Sequence, residues 1–393
     1  MTALTVLQIH NRYRQGGGED TVVEKEAALL RKAGHTVIEH NTVNPSGTIP
    51  AATSLLAAPW NPRAAARLGA VVRDARPDVA HVHNTWWALT PSILAALDRL
   101  KVPTVVTLHN YRLMCVNAQL FRDGAPCEDC VGTHPLRGVA HRCYRGSVSA
   151  STVAAVTIQT NRWLRTWQRV DRLLVLTDFA RSRFVDSGIP ANRLWVKPNF
   201  VDDPGSRTGP PSSSRMVLFV GRLSHEKGIR ALLDAWSAAE TGDLELVVVG
   251  DGPLQTSIES QAIAGVRLVG RLTGQEVQGL MLSARALVFP SIWYEGQPMV
   301  LLEALAAGLA LVVSDIGGVP ETVGGNSAAV QARPGDRESW EVALTGLSDD
   351  TGVDRSGEAA RRAFEERYSA QIGLDGLIHH YTEAIAHRQG MAR

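Results

Sequence analysis

Two carboxylates and two cations in this 393-residue chain are of a type, and in a setting, to do chemistry on a charged, hydroxyl-rich ligand. Glu295 and Glu303 lie within residues 289–308, FPSIWYEGQPMVLLEALAAG, with seven residues between them. The pattern predicts a short buried strand at 286–290, a polar loop, then a helix carrying Val300, Leu301, Leu302 and Leu305. A loop that brings a helix N-terminus to a strand end presents free N–H groups and partial positive charge, suited to phosphate or hydroxyls. The two glutamates fit an acid–base pair of the glycosidase kind or a pair of hydroxyl acceptors, and spacing alone does not separate these. A plainer role also stands at this point, Glu295 on the surface and Glu303 capping or salt-bridged. Arg222 and Lys227, in GRLSHEKG at 221–228, bring a rigid fork and a compact charge to one loop, where they suit a single anion.

The first half of the chain offers a second set. Gly16, Gly17 and Gly18 follow a strand and open a helix with Glu19 and Asp20 in its first turn, allowing close backbone approach to a diphosphate or sugar. The run is not GxGxxG, and no acidic residue ends the second strand as a dinucleotide site needs. His109 closes the apolar strand VVTLH, and His10 and His83 stand at equivalent strand ends. Each suits hydrogen bonding in a core or donation to a sugar hydroxyl from a strand edge. Cys115, Cys127, Cys130 and Cys143 are spaced C-x11-C-x2-C-x12-C, with His134 and His141 nearby. A reducing compartment would make these a structural zinc site or packing thiols, not disulfides.

Strand-like runs at 4–9, 79–83, 104–109, 173–177, 216–221 and 309–314 alternate with helical patterns such as 19–33, where Val22, Val23, Ala27, Leu29 and Leu30 form a stripe. Near-continuous apolar strands are buried on both faces, which predicts α/β with parallel sheets. The length exceeds one ordinary core and predicts two domains. The proline-, glycine- and serine-rich stretch at 203–215 reads as a linker between domains at 1–202 and 216–365. The tail at 366–393 reads as helical. Net charge is +1, from 40 basic and 39 acidic residues, so no general attraction to nucleic acid is implied. The N-terminus enters a strand with no signal-peptide pattern, and no run of about 18 apolar residues occurs, so a cytoplasmic chain is expected.

Four stretches in order, GRLSHEKG, VGDGPL, PSIWYEGQPMVLLEALAAG and SDIGGVPETV, resemble the retaining glycosyltransferases of family 4. HNRYRQGGGED and VVTLHNYRLMC are similar to its polysaccharide-type members. The resemblance implies a GT-B fold: two doubly wound Rossmann-like domains with an interdomain cleft, and a C-terminal helix crossing back to the first. It implies that Arg222 and Lys227 hold a donor diphosphate, Glu303 the ribose and Glu295 the transferred sugar. Backbone groups of Gly296, Gln297, Pro298, Met299 and Val300 would meet sugar hydroxyls and phosphate, with Gly17 and Gly18 near the phosphates. His109 would lie near the sugar's primary hydroxyl, and Arg271 and Leu272 near the base.

Departures from the family pattern are Asn110, frequently Asp, Gln297-Pro298 in place of FG, and Phe200 in PNFVD. The second of these marks where donor choice would differ. The expected activity is transfer of a sugar from a nucleotide diphosphate to an acceptor hydroxyl with retention, as a hexosyltransferase in glycan or natural-product synthesis. Neither a cofactor nor a catalytic metal is expected, since no DxD-like motif occurs, and the acceptor would be a sugar, an aglycone or a lipid-linked molecule. The basic, tryptophan-bearing segment 161–169 fits peripheral contact with a membrane or a partly packed amphipathic helix. Competing readings are a NAD-dependent oxidoreductase, disfavoured without GxGxxG, a non-catalytic binding scaffold, and an epimerase or phosphorylase.

Overall fold

The computed structural model describes residues 3–12, 17–46, 53–325 and 328–390. Gly16, one of the three glycines singled out above, lies outside them. The chain divides into two compact units, the first made of residues 1–120, 127–198 and 373–393, the second of 121–126 and 199–372.

In the first unit β1 (Thr5–Arg12), β2 (Thr36–Val43), β3 (Val79–Asn84) and β4 (Thr104–Leu108) come early in the chain. A small antiparallel hairpin, β5 (Phe121–Arg122) and β6 (Ala125–Pro126), clusters with the second unit. Two further strands, β7 (Arg172–Val175) and β8 (Leu194–Val196), complete the first sheet, in the order β2-β1-β3-β4-β7-β8. Every neighbouring pair is parallel, so each connection must cross over the sheet. The crossings include α1 (Gly18–Lys32), α2 (Pro62–Ala75) and α3 (Ser92–Arg99), then α4 (Leu136–Ala140) and α5 (Val148–Trp163) before β7, and α6 (Asp178–Asp186) after it. Their starts follow sequence: Asn61 accepts from the Ala64 N–H at 3.1 Å and Thr177 from Ala180 at 3.1 Å.

The second sheet comprises β9 (Met216–Val220), β10 (Glu245–Val249), β11 (Val266–Gly270), β12 (Ala286–Phe289), β13 (Ala310–Ser314) and β14 (Ala329–Ala332), again all parallel. Their order, β11-β10-β9-β12-β13-β14, reverses direction between β9 and β12. That is the doubly wound order whose crevice opens beyond the first and fourth strands. Alternate residues fill two cores on opposite faces: Leu218, Val247, Leu287 and Leu311 in one, Val217, Val248, Val288 and Val312 in the other. The helices that bear on the site are α7 (Ile229–Trp236), α8 (Gln255–Glu259), α9 (Gly274–Ser283) and α10 (Met299–Ala306). After α11 (Val319–Thr322) and α12 (Arg337–Thr345) the long α13 (Asp350–Arg367) leads into α14 (Ala370–Gly390). In α14, Leu377, Ile378, Tyr381 and Ala384 join Val6, Val79, Val105 and Leu174 in one core of the first unit.

Residues 203–215, linker-like in composition, lie within the second unit and are anchored there. The Arg207 guanidinium donates to the carbonyls of Met281 and Ala307 at 3.0 and 3.3 Å. Ser212 bonds Asp354 through both its backbone N–H and its hydroxyl, at 2.8 and 2.7 Å. Composition reads the backbone's freedom here and is blind to an arginine that satisfies helix-end carbonyls.

Candidate functional site

At the switch point of the second sheet, the loops after β9 and β12 interlock. Gly228 sits at φ +69°, and a Cβ there would lie 1.9 Å from the Pro290 carbonyl oxygen, so only glycine lets the two loops touch. Gly250, at the end of β10, is likewise pressed against the Gly221 carbonyl, 2.0 Å from where a Cβ would be. The Glu226 carbonyl accepts from the Ile292 N–H at 3.0 Å and the Ser291 hydroxyl at 3.3 Å. This brings Lys227 Nζ to 2.7 Å from Glu295 Oε1, which also accepts from Ser291 Oγ at 2.8 Å. Lys227 Nζ further lies 5.7 and 5.5 Å from the ring centres of Phe289 and Trp293, where the aromatic faces favour a cation. Ser291 lies within the PSIWYEGQ stretch, where sequence assigned it no role. Its role as a second donor to Glu295 emerges only from the loop closure.

Arg222 is exposed on the same loop, and Glu303 is half-buried in the second turn of α10. The start of α10 alters one expectation. Pro298 is its N-cap and has no N–H, so of residues 296–300 only Gly296, Gln297, Met299 and Val300 carry a backbone donor. The N–H groups of Met299 and Val300 precede the first bond of the helix, made by Leu301 to the Pro298 carbonyl at 3.1 Å. The Gln297 side chain is buried and accepts from the Asn199 N–H at 2.7 Å, tying the loop to the PNF turn. Arg271 is exposed and Leu272 half-buried between β11 and α9, where Thr273 and Glu276 cap the helix reciprocally.

The strand ends of the first unit are of another character. Gly17 caps α1 in extended backbone, its N–H donating to Asp20 Oδ2 at 3.0 Å, and nothing lies within 4 Å of where its Cβ would be. The protein's own packing does not require a glycine there. Gly18 is the first residue of α1. His10 is fully buried at the end of β1, its Nε2 2.8 Å from Asp20 Oδ1. His109, half-buried beyond β4, has its Nε2 3.0 Å from Nδ1 of His83. His83 Nε2 faces Glu26 Oε2 at 3.5 Å, and Glu26 Oε1 is 2.6 Å from Lys197 Nζ. His81 engages both nitrogens, with Tyr381 and Thr107, each at 2.8 Å. Burial pushes the carboxyl of Glu26 up, but the Lys197 ammonium beside it more than offsets this, and the net direction is down. Desolvation drives His81 and His83 well below the ordinary range and takes His109 to about 3, so all three are neutral at pH 7.

Sequence reasoning passed over Glu26 and Lys197. The signal was present: Glu26 occupies the buried stripe of α1 beside Val22, Val23, Ala27 and Leu30, where an unpaired carboxylate would be costly. Of the two readings of the cysteines, zinc is not supported, and the absence of disulfides fits packing thiols. None of the four is in a disulfide; Cys115 bonds Asn117 Oδ1 at 2.8 Å, and burial raises the Cys130 thiol to about 11. Among the described residues, the grouping of three or more metal-capable side chains with atoms within 4.8 Å of one another is Glu26, His81 and His83, not the cysteines. Lys197 holds one oxygen of the carboxylate and both His81 nitrogens are engaged outside the trio, while Glu26 Oε2 and His83 Nε2, 3.5 Å apart, make no hydrogen bond.

Residues 17–199 match the glycosyl transferase 4-like domain, and residues 214–350 match glycosyl transferases group 1. The putative teichuronic acid biosynthesis glycosyltransferase TuaC of Bacillus subtilis is 28% identical over 64% of this chain and 57% of that protein. The 2-deoxystreptamine N-acetyl-D-glucosaminyltransferase of Streptomyces fradiae is 28% identical over 81% of this chain and 74% of its own length. The chain thus spans little more than half of TuaC. A glycosyltransferase from Rickettsia africae superposes with a TM-score of 0.70 at 15% identity, covering 98% of this chain and 99% of that one. Anabaena Alr3699/HepE in complex with UDP-glucose does so at 0.64 and 15%, covering 95% and 98%. With two doubly wound units and a glycosyltransferase match in each, the chain belongs to the glycosyltransferases of GT-B fold.

Proposed function

We propose that this protein transfers a hexosyl group from a nucleotide-diphosphate sugar to an acceptor hydroxyl, with retention at the anomeric carbon. The observation that carries the reading is the Lys227–Glu295 pair, 2.7 Å apart at the switch point of the second sheet and next to the start of α10. In this reading Glu295 and Ser291 orient Lys227 before the ligand arrives, so little reorganisation accompanies the rise of charge on the leaving diphosphate. Arg222 and the N–H groups of Met299 and Val300 supply further donors to the same anion. Glu303 accepts from the ribose hydroxyls, and Arg271 and Leu272 flank the base. The match to a fold solved elsewhere with UDP-glucose supports a nucleotide-sugar donor.

The bond between the anomeric carbon and the phosphate oxygen breaks with both electrons going to the diphosphate, leaving an oxocarbenium-like sugar. The acceptor oxygen bonds to that carbon from the face just vacated, and its proton passes to the departing phosphate oxygen. No protein base is needed. The neutral His109 and the open backbone at Gly17 and Gly18 belong, in this proposal, to binding of the sugar and phosphates. The relatives named above are a putative teichuronic acid biosynthesis glycosyltransferase and a 2-deoxystreptamine N-acetyl-D-glucosaminyltransferase, which supports glycan or natural-product synthesis as the setting.

Calorimetry with UDP-, GDP- and TDP-sugars tests the donor half directly. One class should bind, and Lys227→Ala should abolish or greatly weaken that binding. A failure of all three, with correctly folded protein, overturns the proposal. With the donor identified, the anomeric configuration of the product by NMR checks retention.

A further inference from the structure

From residue 131 to residue 170 the chain carries six arginines and no aspartate or glutamate. In a chain of nearly balanced charge, forty residues without a carboxylate concentrate positive potential on the elements they build, α4 and α5. The two elements lie side by side. The Arg162 guanidinium near the end of α5 donates to the Thr133 carbonyl at 2.7 Å, and the Tyr144 N–H donates to Ser151 Oγ, near the start of α5, at 2.9 Å. Residues 133–144 therefore run back along the length of α5.

Two of the six arginines are occupied, Arg162 as just described and Arg169 with Asp98 at 3.3 Å. Arg137, Arg142, Arg145 and Arg165 are exposed, and among the described residues none is paired with a carboxylate. Arg145 spreads over the ring of Trp87, 4.9 Å from its centre, which holds the guanidinium without neutralising it.

The same elements expose large apolar side chains. Trp163 is 76% exposed, Leu136 64%, Val148 50%, Val156 45% and Leu164 43%. Val148, Val156 and Trp163 follow one another at intervals of eight and seven residues along α5, a helical stripe turned to solvent. The opposite stripe, with Ala154, Ala155 and Ile158, is in the core. A helix with apolar residues on both faces, its outer one fringed by unneutralised arginines, is out of place in water and suits the boundary of an anionic bilayer.

We infer that α4 and α5 form a docking surface for a membrane rich in anionic lipid, with Trp163, Leu164 and Leu136 entering the headgroup region. Arg137, Arg142, Arg145 and Arg165 would then meet the phosphates. Nucleic acid would answer the charge but leave the apolar stripe unexplained, and a protein partner would not require forty residues free of carboxylate. The inference is independent of the donor chemistry, and its test reads partition and not turnover.

The full-length protein should co-sediment with equimolar phosphatidylcholine–phosphatidylglycerol vesicles and remain in the supernatant with phosphatidylcholine alone. Each unpaired arginine near an anionic surface is worth about fivefold in partition, so Arg137→Gln with Arg165→Gln should weaken binding roughly 25-fold. Trp163→Ser with Leu136→Ser should weaken it at least about tenfold through lost apolar insertion. These side chains are exposed, so both variants should keep the unfolding temperature of the parent. Absence of sedimentation with the mixed vesicles overturns the inference. So does binding that the serine variant leaves intact, which would mark a general polyanion surface.

Discussion

The two units hold sheets of closely related topology and put opposite kinds of chemistry at their strand ends. The first gathers polar side chains inward: His81 and Glu26 are without solvent exposure, and Lys197 and His83 are 4% and 5% exposed. Its charge is settled internally, one carboxylate against one ammonium, with neutral histidines around them. The second leaves its cations nearer to water, Arg222 exposed and Lys227 half-buried, and uses glycines to bring loops into backbone contact. A buried cluster of balanced charge suits fixing the position of a donor such as His109, which meets His83 at 3.0 Å. A half-buried cation suits receiving an anion, because the Ser291 hydroxyl still donates to the buried Glu295 when the cation turns to a ligand. The contrast therefore concerns what each unit can release.

The largest expected effect lies in the first unit. Glu26→Ala leaves Lys197 buried and unpaired, and should cost about 3–5 kcal/mol in a urea unfolding transition. Glu26→Leu with Lys197→Met removes both charges and should recover most of that loss. If Glu26→Ala is no less stable than the parent, the pair is not buried in solution as described. The corresponding break in the second unit should barely touch stability and instead reduce turnover. Lys227→Ala should lower kcat/KM at least about 100-fold, since an electrostatic donor to a developing charge is worth about 3 kcal/mol, and Glu303→Ala should do so through lost charged hydrogen bonds to the ribose, about 1.5–3 kcal/mol each. Near-normal rates in both would remove the site from the second unit.

How much of this was readable in the chain follows the same division. The strands and their crossovers were legible because buried parallel strands are almost continuously apolar, as in Val217, Leu218 and Phe219. Arg222, Lys227 and Glu295 were legible because strand-end loops of charged and glycine residues are few. The Glu26–Lys197 pair was not, because its members are 171 residues apart and each alone resembles an ordinary solvated charge. The role of Ser291 was not legible either, although it lies in PSIWYEGQ, because a serine four residues before a glutamate does not show that the loop folds back. The cysteine spacing suggested a metal that the side-chain geometry does not assemble, since sequence proximity of thiols says nothing about the direction of their Cβ vectors. The segment at 203–215 looked free because proline and serine counts cannot register the bonds of Arg207.

Acid should separate the units as well. His10, His40, His81, His83 and His380 have lowered pKa values, His380 about 4, and His109 is at about 3, chiefly through desolvation. All six lie in the first unit, and the second contains His225 alone. A histidine buried neutral binds its proton more readily when unfolded, near pH 6.5, than when folded. Its contribution to stability is complete above about pH 6.5 and is lost as pH falls toward the folded value, by up to about 1.4 kcal/mol per pH unit for each. Hydrogen exchange between pH 7 and pH 5 should therefore show amides of the first unit losing protection while those of β9–β14 keep theirs. Equal loss in both units would refute the asymmetry.

The smallest effect sharpens the comparison at the loop where the sequence departs from its relatives. By sequence, Gln297 is a candidate for choosing the donor. In the structure its side-chain oxygen is engaged with the Asn199 N–H, and the residue is 8% exposed. A side chain used in this way fixes the turn before α10, and under the proposed function selection would fall to the backbone donors and Glu295. Gln297→Ala strands a buried N–H at the cost of about 1–3 kcal/mol, and Gln297→Glu restores the acceptor. The alanine variant should lower the unfolding midpoint and raise KM for every nucleotide sugar by a similar factor, leaving their rank unchanged. A donor ranking that changes in the alanine variant would show that this side chain leaves Asn199 to read the sugar. The second unit would then share with the first a polar group that its own backbone holds only until a ligand arrives.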